Sequence, residues 1–170
     1  MKRLISVSLT LVLLVASALP ALASNAVLID TESFLLNFNL YALLAETGHE
    51  LSVEGAEEIS TLNDGVLFKT IFNGCEILSL TLTADAKNVV SVHCTWVPYM
   101  SGASRYSDDY AALLLEALAA CGMDADQITE ALSFLGDGLQ EEVSGEKVMQ
   151  GMRITYENGA LGVSVSIERA

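Results

Sequence analysis

Apolar residues recur along this chain in two periods, one near 3.6 residues and one of two, and the switches between them mark out the elements. The first helical stretch is predicted from Asp30 or Thr31, either of which can cap it, to about Thr47, with Phe34, Phe38, Tyr41 and Ala45 on one face. Gly48 supplies a left-handed stop. A second helix of about four turns opens at Ser107 and ends at Gly122, with Asp108 and Asp109 favourably placed against the helix dipole. A third follows at once: Asp124 and Gln127 have capping-box spacing, Met123 and Ile128 that of a hydrophobic staple, and the pattern runs to about Leu135.

Period two governs the rest. Val66 to Phe72 and Cys75 to Thr83 flank Asn73-Gly74, a pair suited to a type I′ turn because both central positions need positive φ. A third strand carries Val90, Val92, Cys94 and Trp96. Placing these on the face of Leu78, Leu80 and Leu82 requires Leu80 opposite Cys94 and a three-residue loop with Asn88 left-handed. At the C-terminus, Asn158-Gly159 predicts a hairpin with Tyr156, Ile154, Met152 and Val148 inward opposite Leu161, Val163, Val165 and Arg169 respectively, and with Ile167 opposite Gln150. Arg153, Thr155, Ser164, Ser166 and Glu168 fall on its wet face. Residues 49–64 read as a polar connection with one short strand near Leu51 to Val53, 97–106 as a loop, and 136–145 as a linker.

The expected fold class is α+β: an antiparallel sheet of about five strands in two hairpin groups, packed with about three helices in the order α-β-β-β-α-α-β-β. Phe68, Phe72, Cys75 and Ile77 fall opposite the leucine face, so the central hairpins read as apolar on both sides. Helices would cover each side, or a second subunit, in a homodimer, would supply the missing layer. This order resembles, in topology alone, the type III secretion chaperone-like fold, and equally cystatin-like binding folds. No motif accompanies either likeness, and neither activity nor residues are carried over from them.

The N-terminus changes the picture of compartment. Lys2 and Arg3 precede an apolar run from Leu4 to Leu19, and Ala21-Leu22-Ala23 offers small residues at both recognition positions of a signal-peptidase site. The run is broken by Ser6, Ser8, Thr10 and Ser17 and followed by Pro20, short of the roughly 20 apolar residues of a spanning helix. Residues 1–23 are therefore expected to be a removable signal peptide and 24–170 a single α+β domain, secreted or periplasmic, with no membrane anchor after cleavage. Cleavage removes two of the eight basic residues and none of the 22 acidic ones, taking the net charge from −14 to −16. Phosphate recognition needs a basic footprint, so nucleic acid is not an expected partner.

Candidate chemistry is sparse. Cys75, Cys94 and Cys121 are odd in number and lack zinc-site spacing, and the assigned register puts Cys75 and Cys94 on opposite faces of the sheet, unsuited to a disulfide. His49 and His93 are the only histidines. Serines and carboxylates are plentiful, but no G-x-S-x-G turn presents a nucleophile. Asp124-x-Asp126 lacks the glycine of an EF-hand loop, since Thr129 stands there, and Gly136-x-Gly138 continues into no phosphate cradle. No cofactor or metal is expected. The candidate ligand-binding residues are Tyr99, Met100, Arg105 and Tyr106, in the loop between sheet and helix, where aromatic and Arg side chains commonly anchor partners. The expected function is a noncatalytic exported binding or interaction module for a protein, peptide or small ligand. The alternative is a small extracytoplasmic hydrolase-like enzyme whose site is assembled in space rather than in a local motif.

Overall fold

A computed structural model describes residues 26–56, 58–62, 65–97, 108–140, 144–159 and 162–170. In chain order its elements are β1 (Ile29–Asp30), α1 (Thr31–Ala45), β2 (Glu58–Leu62), β3 (Gly65–Phe72), β4 (Glu76–Thr83), β5 (Asn88–Trp96), α2 (Asp108–Ala120), α3 (Ala125–Gln140), β6 (Gly145–Met149), β7 (Met152–Gly159) and β8 (Gly162–Arg169). The antiparallel sheet and three helices agree with expectation, but the sheet has eight strands rather than about five. Its order is β2-β3-β4-β5-β8-β7-β6, with β1 pairing on β5. The signal-peptide assignment falls outside the described residues, as does the Pro98 to Tyr106 loop. Among the described residues no helix is long and apolar enough to cross a membrane.

The helix starts follow the sequence closely. Asp30 caps α1 by accepting from the Ser33 amide at 2.8 Å, a bond that also holds its carboxyl below the ordinary value. The capping box of α3 is reciprocal: Gln127 N donates to Asp124 Oδ1 at 2.9 Å, and Asp124 N donates to Gln127 Oε1 at 2.8 Å. Three other expectations about helices need correction. The buried face of α1 is Thr31, Phe34, Phe38 and Ala42, so Tyr41 and Ala45 point outward. Glu46, at φ 55°, makes the left-handed stop two residues before Gly48. The third helix runs past Leu135 and through Gly136 and Gly138 to Gln140, and Gly138 lets it lie against the Tyr156 ring, where a methyl group would collide.

The hairpin registers differ from expectation by one, two and four residues. Asn73 and Gly74 do take positive φ, and Cys75 N bonds to Phe72 O, but Phe72 then pairs with Glu76 and leaves Cys75 as a bulge. A one-residue slip exchanges the faces of a strand, so Phe68 and Phe72 join Leu78, Leu80 and Leu82 instead of opposing them. The central hairpins are therefore not apolar on both sides. In the β4–β5 connection Ala86, not Asn88, is left-handed, because Asp85 Oδ1 accepts from Thr83 Oγ1 and from Lys87 N and folds the turn one residue earlier. Leu78 faces Cys94, a shift of two that preserves the shared face. At the C-terminus Gln150-Gly151 makes an extra turn with both φ positive, splitting β6 from β7. Asn158 and Gly159 lie within β7, opposite Val163 and Gly162. The shift there is four, so Met152, Ile154, Tyr156, Val163, Val165 and Ile167 all stay inward, whereas Val148 is 53% exposed. Leu51 to Val53 form no strand, and β2 forms further along in the stretch read as a connection.

All three helices pack on one face of the sheet in a single apolar cluster. Phe34 and Phe38 stack toward Phe72, Tyr110 donates to Cys94 O at 3.0 Å, and Phe134 meets the edge of Tyr156. The three thiols are buried, and none of them is in a disulfide among the described residues. Val97 N bonds to Cys75 O, so Cys75 lies three residues along the ladder from Cys94, about 10 Å and beyond disulfide reach. Burial pushes the Cys94 and Cys121 thiols up, out of the range of a reactive thiolate.

Candidate functional site

Four features bear on function: a buried acid–histidine pair, a histidine on the sheet face away from the helices, an acidic groove, and the outer surface of α1. The first lies beneath the C-terminal end of α1. Glu116 of α2, fully buried, accepts from Thr47 Oγ1 at 2.7 Å and pairs with His49 Nδ1 at 2.7 Å. The His49 ring leans on Phe72 at 4.6 Å, and its Nε2 has no partner among the described residues. Side-chain exposures of 2% and 0% seal both groups from substrate. The cluster's role is to tie the segment after α1 to α2, since a buried carboxylate with two donors is satisfied and one without them is not.

On the opposite side of the sheet the strand pairing aligns Ser79, His93, Ser166 and Thr155 across β4, β5, β8 and β7. His93 Nδ1 stands 2.8 Å from Ser166 Oγ and Nε2 3.1 Å from Ser91 Oγ. A neutral imidazole donates with one nitrogen and accepts with the other, so one serine donates to it and the other accepts. Nearby, Arg153 links Glu168 at 3.1 Å and Glu146 at 3.2 Å, and the Glu168 bond raises its guanidinium further above its ordinary value.

Burial pushes the His93 imidazole down from its usual value, against an opposing pull from Glu168. The unfolded chain therefore binds more protons than the folded one just below the ordinary histidine value. Stability from this group is full above that value and falls as pH drops toward the folded one. The urea midpoint should decline as pH falls below about 6.5, and His93→Gln should flatten that part of the curve. An identical slope in the Gln variant would remove His93 as its source.

The groove, of about 470 Å³, is lined by Asp126, Glu130, Phe134, Asp137 and Lys147 among others. Lys147 Nζ bridges it, 2.8 Å from Glu130 and above the Phe134 ring. Its acids are solvated and it gathers no further ligating group. Among the described residues no group of three His, Cys, Asp or Glu side chains could hold a metal ion.

The fourth feature is of another kind. Leu36, Leu40, Leu43 and Leu44 of α1 are 70%, 48%, 75% and 71% exposed. At i, i+4, i+7 and i+8 they occupy about 100° of the helix circumference, opposite the buried phenylalanines. α1 is thus apolar on both sides, and only the inner one is covered among the described residues. Sequence reasoning passed over this arc because the phenylalanines were taken to define the apolar face. The signal was a second set of positions with helical spacing in the same fifteen-residue helix. The expected site residues Tyr99, Met100, Arg105 and Tyr106 lie outside the described residues. Comparison with known proteins identifies no relative: no protein-family model, no curated protein and no solved structure matches this chain.

Proposed function

We propose that the protein is an exported, noncatalytic interaction module that engages a protein partner through the outer arc of α1. The observation that carries this reading is the arc itself. Four neighbouring leucines held in water on a well-capped helix forgo several kcal/mol of burial free energy, at roughly 1.5–3 kcal/mol for each side chain fully buried. Contiguous apolar surface of this kind marks interaction sites on soluble proteins. The signal-like N-terminus and the acidic composition support an extracytoplasmic setting in which such a surface meets its partner.

A pull-down from the extracytoplasmic fraction tests the reading. The parent protein should retain a partner or a second copy of itself, and Leu36→Asp with Leu43→Asp should release it while leaving the melting temperature within a few degrees. Retention undiminished by both substitutions would overturn the proposal. A hydrolase-like reading draws on one observation, the placement of His93 between the Ser91 and Ser166 hydroxyls. Covalent labelling of either serine by a fluorophosphonate would favour it.

A further inference from the structure

We infer that the arc of α1 is covered by the α1 of a second copy of this chain, the two helices lying antiparallel about a two-fold axis at Leu40. The inference rests on the interaction reading above and names its partner. Three observations carry it. Three of its four leucines are symmetric along the axis: Leu36 and Leu44 stand four residues either side of Leu40, so a perpendicular two-fold sets Leu36 of each copy against Leu44 of the other, while Leu43 falls opposite Asn37. A closed pair needs such self-complementarity.

Charge points the same way. The only ionised side chains of the helix and its caps are Asp30, Glu32 and Glu46, at its ends, and the helix itself carries no basic residue. Under the two-fold, Glu46 falls opposite position 34 of the other copy, near the positive end of that helix, rather than opposite a carboxylate. A basic or acidic partner would find nothing to pair with along the arc, whereas a second uncharged leucine arc matches it.

Area is the third. The exposed parts of the four leucines come to on the order of 500 Å² per copy, so a pair covers roughly 1,000 Å², at the lower bound for a specific interface. The dimer is accordingly expected to be reversible, with a micromolar dissociation constant. Two copies that each carry a net charge of −14 before any cleavage repel one another at long range, so salt should tighten the pair by screening.

The experiment is sedimentation equilibrium of the purified protein from about 1 to 200 μM at low and at high salt, with three variants. The parent should rise from monomer to dimer mass, at lower concentration in high salt. Leu40→Asp should stay monomeric throughout, its dissociation constant raised at least about a hundredfold. Leu40→Cys should oxidise to a disulfide-linked dimer, because the axis brings that position against itself, while the native thiols are buried and do not compete. Leu36→Cys should not link to itself but should link to Leu44→Cys when the two are mixed. A parent that is monomeric at every concentration and salt overturns the dimer. If Leu36→Asp with Leu43→Asp then still loses a different protein in the pull-down, the interaction reading survives its loss. If that too fails, both fall. A dimer that persists in Leu40→Asp also overturns the inference, because its interface lies elsewhere.

Discussion

Ile154→Asp is expected to leave no cooperative unfolding transition at room temperature. Ile154 is fully buried in β7, opposite Ile167, which is fully buried too, and both belong to the apolar cluster under the helices. A carboxylate there has no partner, and even protonated it leaves polar atoms unpaired. The cost is several kcal/mol, set against a total stability of about 5–15 kcal/mol. Val148→Asp, in the same hairpin group but with Val148 53% exposed, should change stability by no more than about 0.5 kcal/mol. Thermal melts followed by circular dichroism compare the two. A two-state melt for Ile154→Asp near that of the parent would show that β7 does not complete the core.

The second large effect concerns Glu116. Removal of its side chain strands the Thr47 hydroxyl and the His49 ring inside the protein, both of which now meet a carboxylate oxygen at 2.7 Å. Glu116→Ala should cost about 3–5 kcal/mol, the penalty for breaking a buried pair from one side. Replacing both partners, Glu116→Leu with His49→Phe, removes the polar atoms together and should recover much of that loss, since Phe72 already offers the ring at position 49 an aromatic neighbour. Urea midpoints read both. Equal losses in the single and double variants would mean that packing volume, not the polar pairing, is what Glu116 supplies.

These two sites also show which parts of the molecule were legible from sequence. The inward set around Ile154 was, although its turn was misplaced, because a slip of four residues leaves the alternation of faces intact. Local caps were legible for the same kind of reason: Asp30 with Ser33 and Asp124 with Gln127 depend only on neighbours in the chain. The β3–β4 faces were not. The Asn73-Gly74 turn was correctly read, but the bulge at Cys75 shifts the ladder by one and inverts the outcome, and no residue there announces it. The edge strand β2 was missed, and β6 was read as a continuation of β7, because an edge strand contacts little on either side and so keeps no clean alternation, as Ile59 and Val148, each more than half exposed, illustrate. The Glu116–His49 pair joins distant segments and had no local signature. The leucine arc did have one, in spacing that was overshadowed by a second apolar stripe on the same helix.

The order of strands carries a consequence in time. Apart from two-residue β1, every neighbouring pair in the sheet is a hairpin except one, β5 with β8. The meanders β2–β5 and β6–β8 can each assemble from their own stretch of chain. The seam between them, from Ser91 opposite Glu168 to Trp96 opposite Val163, forms only after the whole segment carrying α2 and α3 has closed on itself. Closure entropy grows with the logarithm of loop length and is spent before any seam contact is made. Cys94, Val165 and their neighbours are therefore expected to pair in the slow step of folding, and the tight turns at Asn73-Gly74 and Gln150-Gly151 to act earlier, each within its own half.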